Sequence, residues 1–319
     1  MRDTRARRRG QRAPPATTHR RGKSTTSAHA VRRTEQWRDL RYREQAAPAF
    51  EFCAETPVEA RLSYSRAVDA VVLKPGEGES LFDGRIVIKS GFDQLTITES
   101  LFPDARDGAE PHYHRQHADS FYVLEGGLAV LVHDEEKPLG PGAFVCAPPE
   151  VVHGFRSTSR ARFLNFHTPD GRFADNLRER NRGEPGGFDS IDAPPGSGKP
   201  PTDAVFLPPG DGERLVTNSR VATIKVGREE LAVIEFELEP VFEGPEPHAH
   251  DDHVDSFYVL DGEVDFLAGD EWMRLPTGSF VAAPIGVTHT FGNHDGQRAR
   301  LLNIHAPSTG FHERLQRES

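Results

Sequence analysis

One stretch of the chain occurs twice. Around residue 112 it reads Pro-His-Tyr-His-Arg-Gln-His-Ala-Asp-Ser-Phe-Tyr-Val-Leu-Glu-Gly, and around residue 248 Pro-His-Ala-His-Asp-Asp-His-Val-Asp-Ser-Phe-Tyr-Val-Leu-Asp-Gly. The offset is a constant 136 from Pro111/Pro247 to Phe155/Phe291, so Gly126 answers to Gly262, Gly142 to Gly278 and His153 to His289. After a slip of two residues, Leu164–Pro169 matches Leu302–Pro307, and Pro75–Glu79 resembles Pro209–Glu213 at an offset of 134. Each unit is about 110 residues long, too long for a solenoid repeat and suited to a duplicated domain.

Within each unit the apolar segments are short and rich in Val, Ile, Phe and Thr. Arg85–Lys89, Gln94–Thr98, Ser120–Leu124, Leu128–Val132, Ala143–Ala147 and Arg162–His167 are separated by Gly, Pro, Asp or Asn. Many short strands at such spacing argue for an all-β barrel or sandwich. One short helix is expected to close each unit, since Phe173/Leu177 and Phe311/Leu315 stand four apart. Those pairs read as packing residues over a barrel face and not as a site. Residues 183–204 (Gly-Glu-Pro-Gly-Gly, Pro-Pro-Gly-Ser-Gly, Lys-Pro-Pro) are linker chemistry. The expected division is therefore a tail over 1–50, a first barrel over 65–182, the linker, and a second barrel over 205–319.

Residues 1–43 hold fourteen Lys/Arg against three Asp/Glu, a surplus of +11. With the whole chain at −10, the remainder carries about −21. A body this acidic repels phosphates, so a nucleic-acid partner is not expected. The basic tail lacks hydrophobic periodicity and reads as a disordered extension, or one admitted by an upstream start codon; a nucleic-acid arm or a transit peptide is the functional alternative. No stretch approaches the roughly 20 apolar residues of a membrane span. Only Cys53 and Cys146 are present, which excludes a disulfide framework and makes a cytoplasmic setting the default.

Residues two apart on a strand face one side, so His112 and His114 share a space. Asp119 can return to that space after a tight turn, with Gly126 expected to end the hairpin's second strand. His153 follows on a later strand. The second unit repeats the set as His248, His250, Asp255 and His289. Three imidazoles and a carboxylate suit one mononuclear divalent transition metal per barrel (Fe, Mn, Ni, Co, Cu or Zn) with open positions for substrate. Each aspartate can serve as ligand, as catalytic base, or as both. An aspartate is one methylene shorter than a glutamate and can instead stand behind the ligands.

His117 and His253 lie in the turn between ligand strands and read first as solvated turn residues. Asn165/Asn303 and His167/His305 can line the cavity or make structural hydrogen bonds. Tyr122 and Tyr258 alternate out of phase with the aspartates, so they are expected to pack outward.

These residues resemble the two-part signature of the cupin superfamily, G-x5-H-x-H-x4-E-x6-G and G-x5-P-x-G-x2-H-x3-N. Unit two matches the second part with Gly278, Pro284, Gly286, His289 and Asn293. Unit one departs from it with Glu150 at the second Gly and Ser157-Thr158 about the Asn position, and both units carry Asp for the usual Glu. Over roughly residues 65–319 the chain looks most like the two-cupin quercetin 2,3-dioxygenase-like group. That resemblance implies two tandem cupin (double-stranded β-helix, jelly-roll) barrels, a monomer or homodimer, and a metal-dependent oxygenase. The substrate it implies is a small enolic or aromatic, flavonol-type molecule, with O2 as co-substrate. A redox-neutral cupin enzyme (decarboxylase or isomerase), or a bicupin that binds metal or a small ligand without turnover, is the alternative.

Overall fold

In the computed structural model, residues 69–294 and 296–318 are described; the expectations for the tail over 1–50 and for Cys53 lie outside them. Among the described residues the fold is β-rich, with two cupin-like domains and two short helices, α1 (Phe173–Asn181) and α2 (Phe311–Glu318). An 11-stranded sheet builds the first cupin, and a 7-stranded with a 3-stranded sheet the second. No helix among the described residues is long and apolar enough to cross a membrane.

Strand pairing crosses the sequence division. Val71–Leu73 pairs with Phe280–Ala282 of the second cupin, and Val205–Leu207 pairs with Phe144–Cys146 of the first. Each cupin thus takes its outermost strand from the segment preceding its partner, which ties the two together through backbone hydrogen bonds.

The side-chain period of two explains the rest of the packing. Along Phe121-Tyr122-Val123, Phe121 and Val123 join the interior of the first cupin, while Tyr122 joins an apolar layer shared by both cupins. Phe144, Leu164 and Phe166 meet Phe280, Leu302 and Ile304 in that layer. A second interior cluster around Phe257, Phe266 and Phe291 fills the other cupin.

Two ion clusters, related by the repeat and each built on a buried lysine, lie near this layer. Glu99 Oε2 lies 3.0 Å from Lys89 Nζ and accepts from the Tyr258 hydroxyl of the other cupin at 3.2 Å, while Arg162 Nε stands 2.8 Å from Glu99 Oε1. In the mirror image, Glu235 meets Lys225 at 3.1 Å, the Tyr122 hydroxyl at 3.1 Å, and Arg300. Tyr122 and Tyr258 do face outward from their own cupins, and each hydroxyl reads the neighbour's carboxylate.

One local expectation is corrected, and the departures of the first unit from the signature have local consequences. Gly126 does not end a strand, because Ala118–Val132 runs through it. Its φ of 71° and a position where a Cβ would stand 1.7 Å from the Arg160 carbonyl oxygen make it a bend inside one long strand. Glu150 adopts φ 67°, the conformation that Gly286 takes with φ 84° in the second cupin, so the same turn forms at an energetic cost. Ser157 takes over part of the loop-tying role of Asn293: its hydroxyl donates to the Asp104 carbonyl at 2.9 Å, while Asn293 donates to the Glu239 and Gln297 carbonyls at 2.8 and 2.7 Å.

Candidate metal centres

The strands bring the predicted residues together in both units. His112 pairs with His153 across neighbouring strands, and the backbones of His248 and His289 exchange hydrogen bonds of 3.1 and 2.8 Å. Nitrogen or carboxylate atoms of His112, His114, Asp119 and His153 lie within 4.8 Å of one another, as do those of His248, His250 and His289. Asp255 joins the second group from the side, with Oδ2 3.1 Å from His289 Nε2 and 3.6 Å from His250 Nε2.

Backbone carbonyls fix the tautomers. Nδ1 of His112, His153, His248 and His289 lies 2.6, 2.9, 2.8 and 2.9 Å from the carbonyl oxygens of Glu110, Val151, Glu246 and Val287, respectively. With Nδ1 donating, Nε2 is the nitrogen presented to the interior. Buried Nε2 atoms of His114, His153 and His250 have no hydrogen-bond partner. Such orphans are costly in a protein interior, and a cation there would satisfy them. Burial, followed by the neighbouring His153 and His114, pushes His112 down to about 3, so it is neutral as a metal ligand must be. The residues present fit the group: two distinct His/Asp clusters, one per cupin, are each capable of coordinating a single metal ion.

The aspartates are held by the residues that follow the distal histidine. Asn165 donates a short hydrogen bond to Asp119 Oδ1 and a 3.1 Å bond to the Ser120 carbonyl, and its own Oδ1 accepts from His167 Nε2 at 3.1 Å. Asn303, Asp255 and His305 repeat this, with His305 Nε2 3.0 Å from Asn303 Oδ1. Burial would raise the Asp255 carboxyl, but His305 and the neighbouring imidazoles of His250 and His289 hold it well below the usual carboxylate range. A carboxylate oriented on one oxygen and facing two imidazoles with the other stays ionised.

His117 and His253 are buried, not solvated as expected. Their rings lie 22° and 31° from parallel to His114 and His250, with centroids 3.9 and 3.8 Å apart. Nitrogen lone pairs lie in the ring plane, so rings overlapping face to face do not converge on one ion, although His114, His117 and His167, and likewise His250, His253 and His305, are close enough to suggest a second site. In the second cupin the pair instead forms hydrogen-bonded support, with His253 Nε2 2.8 Å from His305 Nδ1 and Asp252 Oδ1 2.7 Å from His253 Nδ1. The helix residues also belong to the site: Phe173 stacks on His167 and Phe311 on His305, with centroids 3.5 and 3.9 Å apart. Phe311 and Leu315 line the second cavity, which corrects their reading as packing alone.

The two centres differ in access. The linker lies across the first: Ile191–Asp192 pairs with His112–Tyr113, and the Asp189 carbonyl accepts from His114 Nδ1. Asp189 Oδ2 accepts from the backbone N–H of Arg115 and Gln116 at 2.6 and 2.8 Å, and the Phe188 ring lies 5.4 Å from His114. In the second cupin, His248, His250 and Asp255 line a cavity of about 480 Å³ that runs past the exposed residues Glu246, Ala249 and Arg314. Its walls include Phe236, Phe257 and Phe291.

The family description "Cupin domain" matches residues 101–167 and 234–305, once in each unit. Quercetin 2,3-dioxygenase of Bacillus subtilis (strain 168) is 33% identical over 127 residues, which cover 38% of this chain and 36% of that protein. The match thus spans about a third of that relative. Among solved structures, Ylba of E. coli is similar with a TM-score of 0.55 and 12% identity over 77% of this chain and 94% of that one. A putative glyoxylate induced protein from Pseudomonas aeruginosa gives 0.54 and 16%, covering 81% and 96%. These two likenesses show the fold. Each of the two units thus matches the cupin domain, and the chain is related to the cupin superfamily.

Proposed function

We propose that the chain is a metal-dependent cupin enzyme that works in the second cupin and carries out redox-neutral chemistry, decarboxylation or isomerisation, on a small acidic or enolisable molecule. The observation that supports this best is the buried, ionised Asp255 carboxylate on the wall of the 480 Å³ cavity, 3.1 Å from His289 Nε2. His248, His250 and His289 would hold the ion, and a divalent metal there supplies Lewis acidity that withdraws charge from a substrate oxygen. Asp255 would take the proton from the adjacent carbon or hydroxyl through Oδ2, while Asn303 and His305 hold Oδ1 in place. Phe236, Phe257 and Phe291 exclude water and position the apolar part of the substrate. The first cupin, with its centre under Phe188 and Asp189, would hold its ion for stability.

A second reading is dioxygenase cleavage of a flavonol-type ring, favoured by the 127-residue match to quercetin 2,3-dioxygenase. An oxygen electrode coupled to mass spectrometry separates the two, using Mn- or Fe-loaded protein with enolisable carboxylates and flavonols. Turnover without oxygen consumption, abolished in His250→Ala, is the expected result. Uptake of one O2 per flavonol consumed would replace this proposal with the second reading.

A further inference from the structure

We infer that the second cupin takes substrates bearing a carboxylate on a flat apolar body, with Arg220 and Arg314 binding that carboxylate. The inference rests on the reading of this cupin as the working site. Helix α2 presents Phe311, Arg314, Leu315 and Glu318 to the cavity, the i, i+3, i+4 and i+7 positions of one face. Arg220 lines the same cavity from the strand Arg220–Gly227. Its guanidinium carbon stands 5.3 Å from the Phe236 ring centre and 6.0 Å from that of Phe242.

The two guanidinium groups share one loosely placed carboxylate. Glu318 Oε2 is 3.9 Å from Arg220 Nη2, and Glu318 Oε1 is 3.8 Å from Arg314 Nε. Both separations exceed hydrogen-bond length, so the planar forks of N–H donors are not taken up by Glu318. The other carboxylate at the mouth, Glu246, is exposed to solvent. Burial makes the charge of Arg220 costly, and an anion at the mouth offsets that cost.

The repeat shows that this is not inherited scaffolding. Gly84 stands where the second cupin has Arg220, Asn176 where it has Arg314, and Arg180 where it has Glu318. The cation pair therefore accompanies the accessible cavity and is missing from the centre covered by the linker. A carboxylate bidentate on these arginines would place the rest of a flat molecule between Phe236, Phe257 and Phe291. Its far end would point toward His250 and Asp255.

Isothermal titration of the protein as purified with benzoate, and with benzamide as the neutral analogue of the same shape, tests this. Benzoate should bind at least about tenfold more tightly, the scale of a charge-assisted pair of hydrogen bonds. Arg220→Gln should abolish the preference, as should Arg314→Gln, which changes an exposed helix residue and leaves the fold intact. Glu318→Gln should tighten benzoate binding several-fold by removing the competing carboxylate. The preference should survive in His250→Ala, which separates it from any failure of the metal reading. Equal affinity for the two compounds, or binding of neither, would overturn the inference. So would a preference retained in both arginine variants, or one lost only in His250→Ala, which would assign the carboxylate to the metal centre.

Discussion

Asp255→Asn should lower kcat by about two to four orders of magnitude on the substrate found by the turnover screen, the range for a positioned general base. The substitution is nearly isosteric. It removes the charge and the basic oxygen while leaving a group that Asn303 and the imidazoles can still contact. His248 and His289 keep their backbone carbonyl anchors, so metal content should change little. Asp119→Asn is the internal control: its carboxylate lies in the first cupin, beneath Phe188 and Asp189, and kcat should stay within about twofold of the parent. A large fall in Asp119→Asn with normal turnover in Asp255→Asn would move the reaction to the first cupin. Loss of a metal equivalent in Asp255→Asn, in step with kcat, would make the carboxylate a ligand first and a base second.

The largest effect on stability should come from Glu235→Ala. This substitution leaves Lys225, whose side chain is fully buried, facing Arg300 and the Tyr122 hydroxyl without a carboxylate between them. Breaking one partner out of a buried ion cluster costs about 3–5 kcal/mol. For a domain of this size that is on the order of a 10 °C fall in Tm. The pH dependence has a definite sign. Burial would raise the Glu235 carboxyl, but Arg300 and Lys225 lower it below its ordinary 4.5 in the folded protein. Its contribution is therefore complete above about pH 4.5, the unfolded value, and is lost as the pH falls through the lower folded value. Thermal scans between pH 3 and 7 should show Glu235→Gln flatter than the parent on the acid side. Identical acid limbs would mean that Glu235 gains nothing from its cations.

Much of the site was legible in the sequence because strand geometry is local. His-x-His puts two imidazoles on one face whatever the rest of the fold does, and the 136-residue repeat showed that His153 and His289 recur at the same distance. Asn165/Asn303 and His167/His305 were placed near the cavity by the same alternation. What the sequence did not show depends on contacts between distant segments. The burial of His117 and His253 comes from stacking on His114 and His250 and, in the first cupin, from Phe188 of the linker, 6.1 Å away. Gly/Pro composition marked residues 183–204 as a connector, but backbone pairing of Ile191–Asp192 with the ligand strand makes the connector a cover. The four-residue spacing of Phe311 and Leu315 identified a helix face, but its reading as packing alone missed the cavity that face lines. Nothing local in the sequence marks Lys89, Glu99, Lys225 and Glu235, because only the apposition of the two units brings them into ion clusters.

The central claim is that each cupin has a single metal centre and that the second one does the work. Elemental analysis of the purified protein beside His114→Ala and His250→Ala tests it most directly. Near two equivalents of Fe, Mn, Ni, Co, Cu or Zn are expected, falling by one in each variant, with turnover lost in His250→Ala alone. Metal content unchanged by His250→Ala, or no metal retained after reconstitution, would contradict it.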